Sequence, residues 1–277
     1  MKARMFALLL TLLLFGMAAA AAETPEQSAG DYLYMINVGK GDAILIHASG
    51  RYYLIDCGKA GAWDSVESAL SSHGADTLEA VFLTHTDKDH SGGLKKLAKS
   101  GITVKNWYAS AFYILDEDDK HPMEKALKKS DAAIRFLKAG DRVDGLFTVL
   151  APEVPNEGND DNNSLVMMFD NGLCRVLLTG DMEGKEESIL LGSGASLKCD
   201  VFKVPNHADD DVCLYMDLSA LGAKVALIST DPYDKPGTPD PLLVSRLEDA
   251  GMAVCRTDFT ENGIYVSLDG SLTLFAD

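Results

Sequence analysis

The twelve residues from Leu83 to Leu94, LTHTDKDHSGGL, constrain this chain more than any other stretch. Four side chains rich in donor atoms, His85, Asp87, Asp89 and His90, fall within six residues. An apolar β-type run, Ala80 to Leu83, leads in, and a Gly-Gly pair followed by a helical pattern leads out. That places the four on a strand-to-helix loop, where α/β folds put metal and phosphate sites. Imidazoles and carboxylates at this density supply nitrogen and oxygen donors for one or two divalent ions. A solvated turn would account for the aspartates but has no need of two histidines.

The rest of the 277 residues, 47% of them hydrophobic, suffices for one large α/β domain, and no linker interrupts it. Met1 to Ala22 carries Lys2 and Arg4, an apolar run and an alanine-rich end, the pattern of a cleaved secretory signal; a retained anchor is the competing reading. Residues 23–31 are then a polar, frayed start, and 32–277 the folded domain. A secreted or cell-surface location follows, with no membrane association after cleavage.

The formal net charge is −17, and removal of residues 1–22, with two basic and no acidic residues, takes it to −19. Such a body repels long polyanions, and no basic cluster stands out in the sequence, so tight duplex nucleic-acid binding is not expected. The five cysteines show no C-x-x-C spacing and read as free, buried side chains.

Along the chain, Tyr32–Val38, Ala43–His47 and Arg51–Asp56 read as an antiparallel meander, followed by a helix capped by Asp64. The polar region 116–144 reads as an insertion outside the core, with a helix over 123–129, an apolar turn at 134–137 and a solvent histidine, His121. The second half repeats the grammar: strands at 146–150, 164–169 and 173–178, a hairpin signal at Asn171-Gly172, then strands alternating with helices over 183–191, 212–221 and 241–250. Two such halves predict two sheets packed face to face with helices outside, an α/β, four-layer αββα sandwich.

Three further strand ends carry polar groups. Asp56 in YLIDCG is a buried carboxylate that needs donors, and hydrogen bonding to the central loop is favoured over metal ligation. Asp181 in VLLTGD suits either a metal bridge or an N-cap for the next helix. His207 in FKVPNH is uninformative alone and informative with the other two.

At this point the chain resembles the metallo-β-lactamase-fold hydrolases and, within them, the hydrolase-like domain of ComEC-type competence proteins. INVGKGDAILI, with Lys40 where glutamine is usual, YLIDCG, LTHTDKDHSGGL, DNNSLVMMF, LLTGD, FKVPNH and VCRTD follow in that group's order. The resemblance implies two divalent ions, with zinc favoured and manganese or iron competing. His85 and Asp87 would serve the first, Asp89, His90 and His207 the second, and Asp181 would bridge. Asp87 stands where the wider family has histidine, which hardens the site. Asn206-His207-Ala208 replaces the usual His-His-Gly, leaving open which of the pair ligates, and Thr238 replaces a late histidine. Asn162, Asn163 and Ser164 match a segment that lines the pocket.

The activity implied is hydrolysis, with the metal as Lewis acid and source of hydroxide and with Asp89 and Asp181 as the catalytic carboxylates. A phosphodiester, either a small molecule or an oligonucleotide, is the favoured substrate. Lactone or amide hydrolysis and a non-catalytic metal-binding surface protein are the alternatives.

Overall fold

The computed structural model describes residues 30–115, 117 and 119–277; the proposed signal segment, and all but the last two residues of the polar start, lie outside them. The first half runs β1 (Tyr32–Ile36), β2 (Ile44–Ala48), β3 (Arg51–Ile55), α1 (Trp63–Ser72), β4 (Thr77–Leu83), α2 (Lys88–Ser91), α3 (Leu94–Leu97), β5 (Thr103–Val104), β6 (Trp107–Ser110), α4 (Pro122–Leu127) and β7 (Ile134–Leu137). The second runs β8 (Arg142–Val143), β9 (Phe147–Ala151), β10 (Val166–Asp170), β11 (Arg175–Leu178), α5 (Gly184–Gly192), β12 (Val201–Lys203), α6 (Leu218–Leu221), β13 (Val225–Ile228), α7 (Pro241–Asp249), β14 (Ala253–Arg256), β15 (Gly263–Ser267) and β16 (Leu274–Ala276).

Two sheets result. One orders β16-β15-β1-β2-β3-β4-β6-β7, with β5 beside β4, and the other orders β14-β13-β12-β11-β10-β9-β8. The inner strands are apolar at nearly every position because both faces are covered, whereas the edge strands β7, β14 and β16 are partly exposed. In β1, Leu33 and Met35 point into the layer between the sheets, where they join Phe82, Phe147, Met167 and Phe169. Tyr32, Tyr34 and Ile36 point the other way, against Trp63 and Leu70 of α1 and Leu97 of α3. On the second sheet, Met168, Leu177 and Phe202 pack outward on Leu190 of α5 and Leu243 and Leu247 of α7. Each such side chain contributes about 1.5–3 kcal/mol by leaving water. The αββα sandwich is therefore present, and all five cysteines are free, four of them buried.

Several local expectations need correction. The apolar turn at 134–137 is a strand, β7, paired in parallel with β6, so the insertion is partly woven into the sheet edge. His121 is buried rather than solvated, and its Nδ1 caps α4 by accepting the Met123 amide at 3.3 Å. With little to stabilise its charge there, burial pulls its pKa down to about 4. The expected helix 212–221 shrinks to α6, because Cys213 takes a left-handed φ of 53° and Asp217 caps the helix by accepting from Ser219 and Ala220. The hairpin at Asn171-Gly172 forms, but Asp170 pairs with Arg175, so its loop has four residues. The halves are not independent either, since β15 returns to lie antiparallel to β1.

Among the described residues no helix is long and apolar enough to cross a membrane.

Candidate metal centre

The site forms where strands from both sheets end. β3 delivers Asp56, β4 delivers Thr84 and His85, and the turn into α2 delivers Asp89 and His90; β11 leads to Asp181, β12 to His207 and β13 to Ser229. Backbone packing fixes the central loop before any side chain does. Cys57 donates its amide to His90 O at 2.8 Å and Gly93 donates to Gly58 O at 3.0 Å. A Cβ on Gly93 would stand 2.2 Å from Cys57 O, so the Gly-Gly exit from the loop is a condition of this approach.

Asp181 is the hub. His90 Nε2 and His207 Nε2 each lie 3.2 Å from its Oδ2, with His85 Nε2 at 4.0 Å. His207 Nε2 also lies 3.6 Å from Asp89 Oδ2, and His85 Nε2 lies 3.5 Å from Asp161 Oδ1. All three imidazoles and Asp181 are buried, yet His85 Nε2, His90 Nε2, His207 Nε2 and Asp181 Oδ1 have no hydrogen-bond partner. Buried polar atoms without partners are costly. Four of them converging from both sheets, as mixed nitrogen and oxygen donors, fit divalent cations. Among the described residues three donor groups are close enough to hold ions: Asp89, His90, Asp181 and His207; His85, Asp161 and Asp181; and Asp42, Asp56 and His90, of which the last has its carboxylates engaged by Lys203 and Thr84.

Five of the six residues expected from sequence are thus brought together, and Asp87 is not. It is exposed at the start of α2, and Asp161, unremarked in the sequence, stands beside His85 instead. Burial, aided by the nearby Asp181, Asp87 and Glu183 and opposed by His85, raises the Asp161 carboxyl to about 7. A crowd of carboxylates in a dry place lacks positive charge.

The fold also places Asn206 and His207 differently. Asn206 turns its amide toward Glu183 Oε1, at 3.5 Å, and His207 alone faces the cluster. Three successive residues without glycine, Asn206, His207 and Ala208, take φ of 40°, 54° and 64° to achieve this. Such left-handed backbone costs about 1 kcal/mol or more per residue and concentrates at functional sites. Asp181 does not cap α5, whose N-cap is Glu183. Gly180, at φ 52°, lets the chain turn there, and the Asp181 amide donates to Ser164 Oγ at 3.1 Å.

Buried groups behind the imidazoles bond their Nδ1 atoms and so orient them. Asp56 accepts from Thr84 N at 2.8 Å, Thr84 Oγ1 at 2.7 Å and His90 Nδ1 at 2.7 Å. These bonds are the hydrogen-bonding role expected of it from the sequence, and it also stands within reach of a shared ion with Asp42 and His90. His207 Nδ1 lies 2.9 Å from the Ser229 carbonyl and 3.0 Å from its hydroxyl. Ser229 Oγ in turn donates to Asp42, which pairs with the fully buried Lys203 at 2.9 Å.

Burial alone would lower both histidine pKa values, but Asp181, with Asp56 for His90 and with Asp89 and Asp42 for His207, pushes them up instead. Burial would likewise raise Asp181 and Asp89; the facing histidines, with Lys40 at Asp89, hold both below the usual carboxylate range. Lys40 Nζ sits 2.9 Å from Asp89 Oδ2.

One support was missed in the sequence and another takes a different role from the one expected. Asp160 accepts from Thr86 N, Thr86 Oγ1 and Ile114 N at 2.6–2.9 Å, tying the central loop to the segment that carries Asp161. Asn162 and Asn163 act as braces, holding Glu183 and Asn156, rather than entering the cluster.

Two sheets that present histidines and aspartates from their strand ends to one buried point form a candidate centre for divalent cations. A family model of the metallo-beta-lactamase superfamily matches residues 36–230, and the chain belongs to that superfamily. Among curated proteins it is similar to ComE operon protein 3 of Bacillus subtilis (strain 168), 29% identical over 251 residues, covering 83% of this chain and 32% of the relative. It is also similar to Competence protein ComA of Neisseria gonorrhoeae, 26% identical over 254 residues, covering 90% of this chain and 34% of that one. The chain therefore spans about a third of the length of these relatives. Among solved structures, the metallo-beta-lactamase fold protein YhfI from Bacillus subtilis superimposes with a TM-score of 0.57 at 17% identity, covering 85% of this chain and 98% of that one, which shows the shared fold.

Proposed function

We propose that this protein is an exported metal-dependent phosphoesterase that cleaves phosphodiesters. The observation that carries the reading is the convergence of three buried, unpartnered imidazole nitrogens on Asp181, beside a cleft of about 650 Å³ bounded by Thr86, Asp87 and Asp89. His85, Asp161 and Asp181 would hold one ion, and Asp89, His90, Asp181 and His207 the other. Ions bound there would supply Lewis acidity and a water with a pKa near 7.

The chain's own residues do the rest. Asp56 keeps the His90 Nδ1 proton in place and so turns Nε2 inward; the Ser229 carbonyl does the same for His207. Lys40, partly exposed at the rim, brings a positive charge to the edge of the cluster, which suits an anionic ester over a neutral lactone. A nucleic-acid phosphodiester is the substrate we favour, in keeping with the resemblance to competence proteins, one of which is named for competence.

Turnover of bis-p-nitrophenyl phosphate by protein stripped with chelator and then reloaded with manganese or zinc tests the reading. Activity should return with the metal and should be absent in Asp181→Asn. Hydrolysis of a lactone with no action on any phosphoester would replace it, and metal binding without turnover on either would favour a non-catalytic role. For export, mass spectrometry of the protein from its host should find the chain beginning near Glu23.

A further inference from the structure

The sequence shows no run of basic residues, but the fold assembles one. Lys88 and Lys95 line the cleft beside the metal loop, together with Lys125 of α4. Lys95 and Lys125 are shared with a second cavity of about 450 Å³, whose walls add Lys99, Lys128 and Lys129. The two cavities adjoin at α3 and α4, sharing Lys95, Lys125 and Ala126 in their walls, and together they make up the lysine groove. All six lysines are exposed. The cluster escapes a reading of the sequence because its halves, 88–99 and 125–129, meet only when Leu94 and Leu97 pack in one core with Met123 and Leu127.

The charge along this groove is one-sided. The part next to the metal loop also carries Asp87, Asp89 and Asp119, of which Asp119 pairs with Lys125. The far part has five lysines and no carboxylate in its lining. Among the described residues, no carboxylate pairs with Lys95, Lys99, Lys128 or Lys129. On a chain of net charge −17, unpaired cations gathered in one groove make a local reversal of field that attracts anions. Between the lysines the lining is apolar, with Ile102, Val104 and the edge of Trp107. Tyr113, next in sequence to Ile114 of the near wall, is 39% exposed and packs 5.9 Å from the ring of Phe136.

We infer that this lysine groove binds the phosphate backbone of a single-stranded oligonucleotide, leading one diester of the strand into the metal cluster. The inference rests on the phosphoesterase reading and adds the substrate's form. A positive groove that tracks a backbone, with apolar and aromatic surface for the bases, is how single strands are held without regard to sequence. A duplex is disfavoured, because a broad rod of paired phosphates would bring its second strand against the acidic body outside the groove.

The test is fluorescence anisotropy with a labelled phosphorothioate oligothymidylate of about twelve nucleotides, a typical site length for such grooves. It resists hydrolysis, so binding to metal-loaded protein is read without turnover. Wild type should bind with a salt slope near −4 for about six contacts, and Lys99→Ala/Lys128→Ala/Lys129→Ala should flatten that slope by about two and weaken binding about tenfold or more. The matching triple arginine variant should restore both. In kinetics, the alanine variant should lose far more kcat/KM on the oligonucleotide than on bis-p-nitrophenyl phosphate.

The inference is overturned if the alanine variant keeps wild-type affinity and slope, or if the arginine variant loses as much as the alanine one. Equal competition by a duplex of the same length or by polyglutamate overturns it as well. Absence of turnover on every phosphoester would remove the phosphoesterase reading while leaving the binding result standing; normal small-diester turnover with unaltered binding in the alanine variant would remove the groove alone.

Discussion

His90 and His207 face the same carboxylate oxygen from opposite sheets, each at 3.2 Å, and the protein holds them by different means. On the first sheet a carboxylate, Asp56, bonds His90 directly and is itself fixed by both the amide and the hydroxyl of Thr84. On the second sheet the direct contacts are neutral, the carbonyl and hydroxyl of Ser229, and charge enters one step back through Asp42 and Lys203. The first arrangement makes the imidazole a stronger base and fixes its tautomer in one stroke. The second divides those tasks, and it introduces a buried ion pair whose main energetic importance lies in what happens when one partner is lost.

That difference can be broken most severely at Lys203. Lys203→Met leaves Asp42 as a buried, unpaired charge and should cost about 3–5 kcal/mol, on the order of ten degrees in Tm for a chain of this size. Urea unfolding of Lys203→Met beside Lys203→Met/Asp42→Leu reads it. The double variant should recover part of the loss, and a single variant no less stable than the double would mean that the pair is not the buried unit described.

Next in size is the contrast in metal affinity. Asp56→Asn should weaken ion binding by about 10–100-fold, whereas Ser229→Ala, which keeps the carbonyl, should cost less than about tenfold. Competition with a fluorescent chelator measures both, and equal losses would abolish the distinction between the two supports. Both histidine pKa values are raised, so protons compete with the metal: uptake should tighten as pH rises and release protons, less so in Asp56→Asn.

The smallest effect sharpens the comparison from outside the site. His121 is buried like the other two, but no carboxylate bonds it, and its pKa falls to about 4. Because the folded value lies below the ordinary 6.5, its contribution to stability is complete above that pH and is lost as pH falls toward 4. At pH 5 the loss is at most about 2 kcal/mol, confined to α4. Amide hydrogen exchange of α4 at pH 7 and pH 5 should show it, and His121→Asn, which can still cap, should flatten the response.

These contrasts also explain what could be read in advance. The donor-rich loop, the strand-end aspartates and the two-sided apolar strands are local in sequence, so the sandwich and five of the six proposed ligands were legible. Asp161 was not, because DDNN is as good a polar turn as it is a ligand segment, and only the fold puts it next to His85 rather than letting Asp87 reach inward. The lysine groove was hidden by sequence distance. His121 misled because a histidine before proline in a polar stretch has no local sign of burial, and β7 because four residues become a strand only when β6 is there to pair with them.

The return of β15 to the edge of β1 has a consequence in time. More than 220 residues separate the two strands, so at roughly 5–20 residues per second the nascent β1 waits on the order of ten to forty-five seconds for its outer neighbour. Throughout that interval an apolar strand offers its open edge to other chains. A chain truncated before Gly263 should therefore be the species most in need of a chaperone, and completion of the last strands is the step that closes the first sheet.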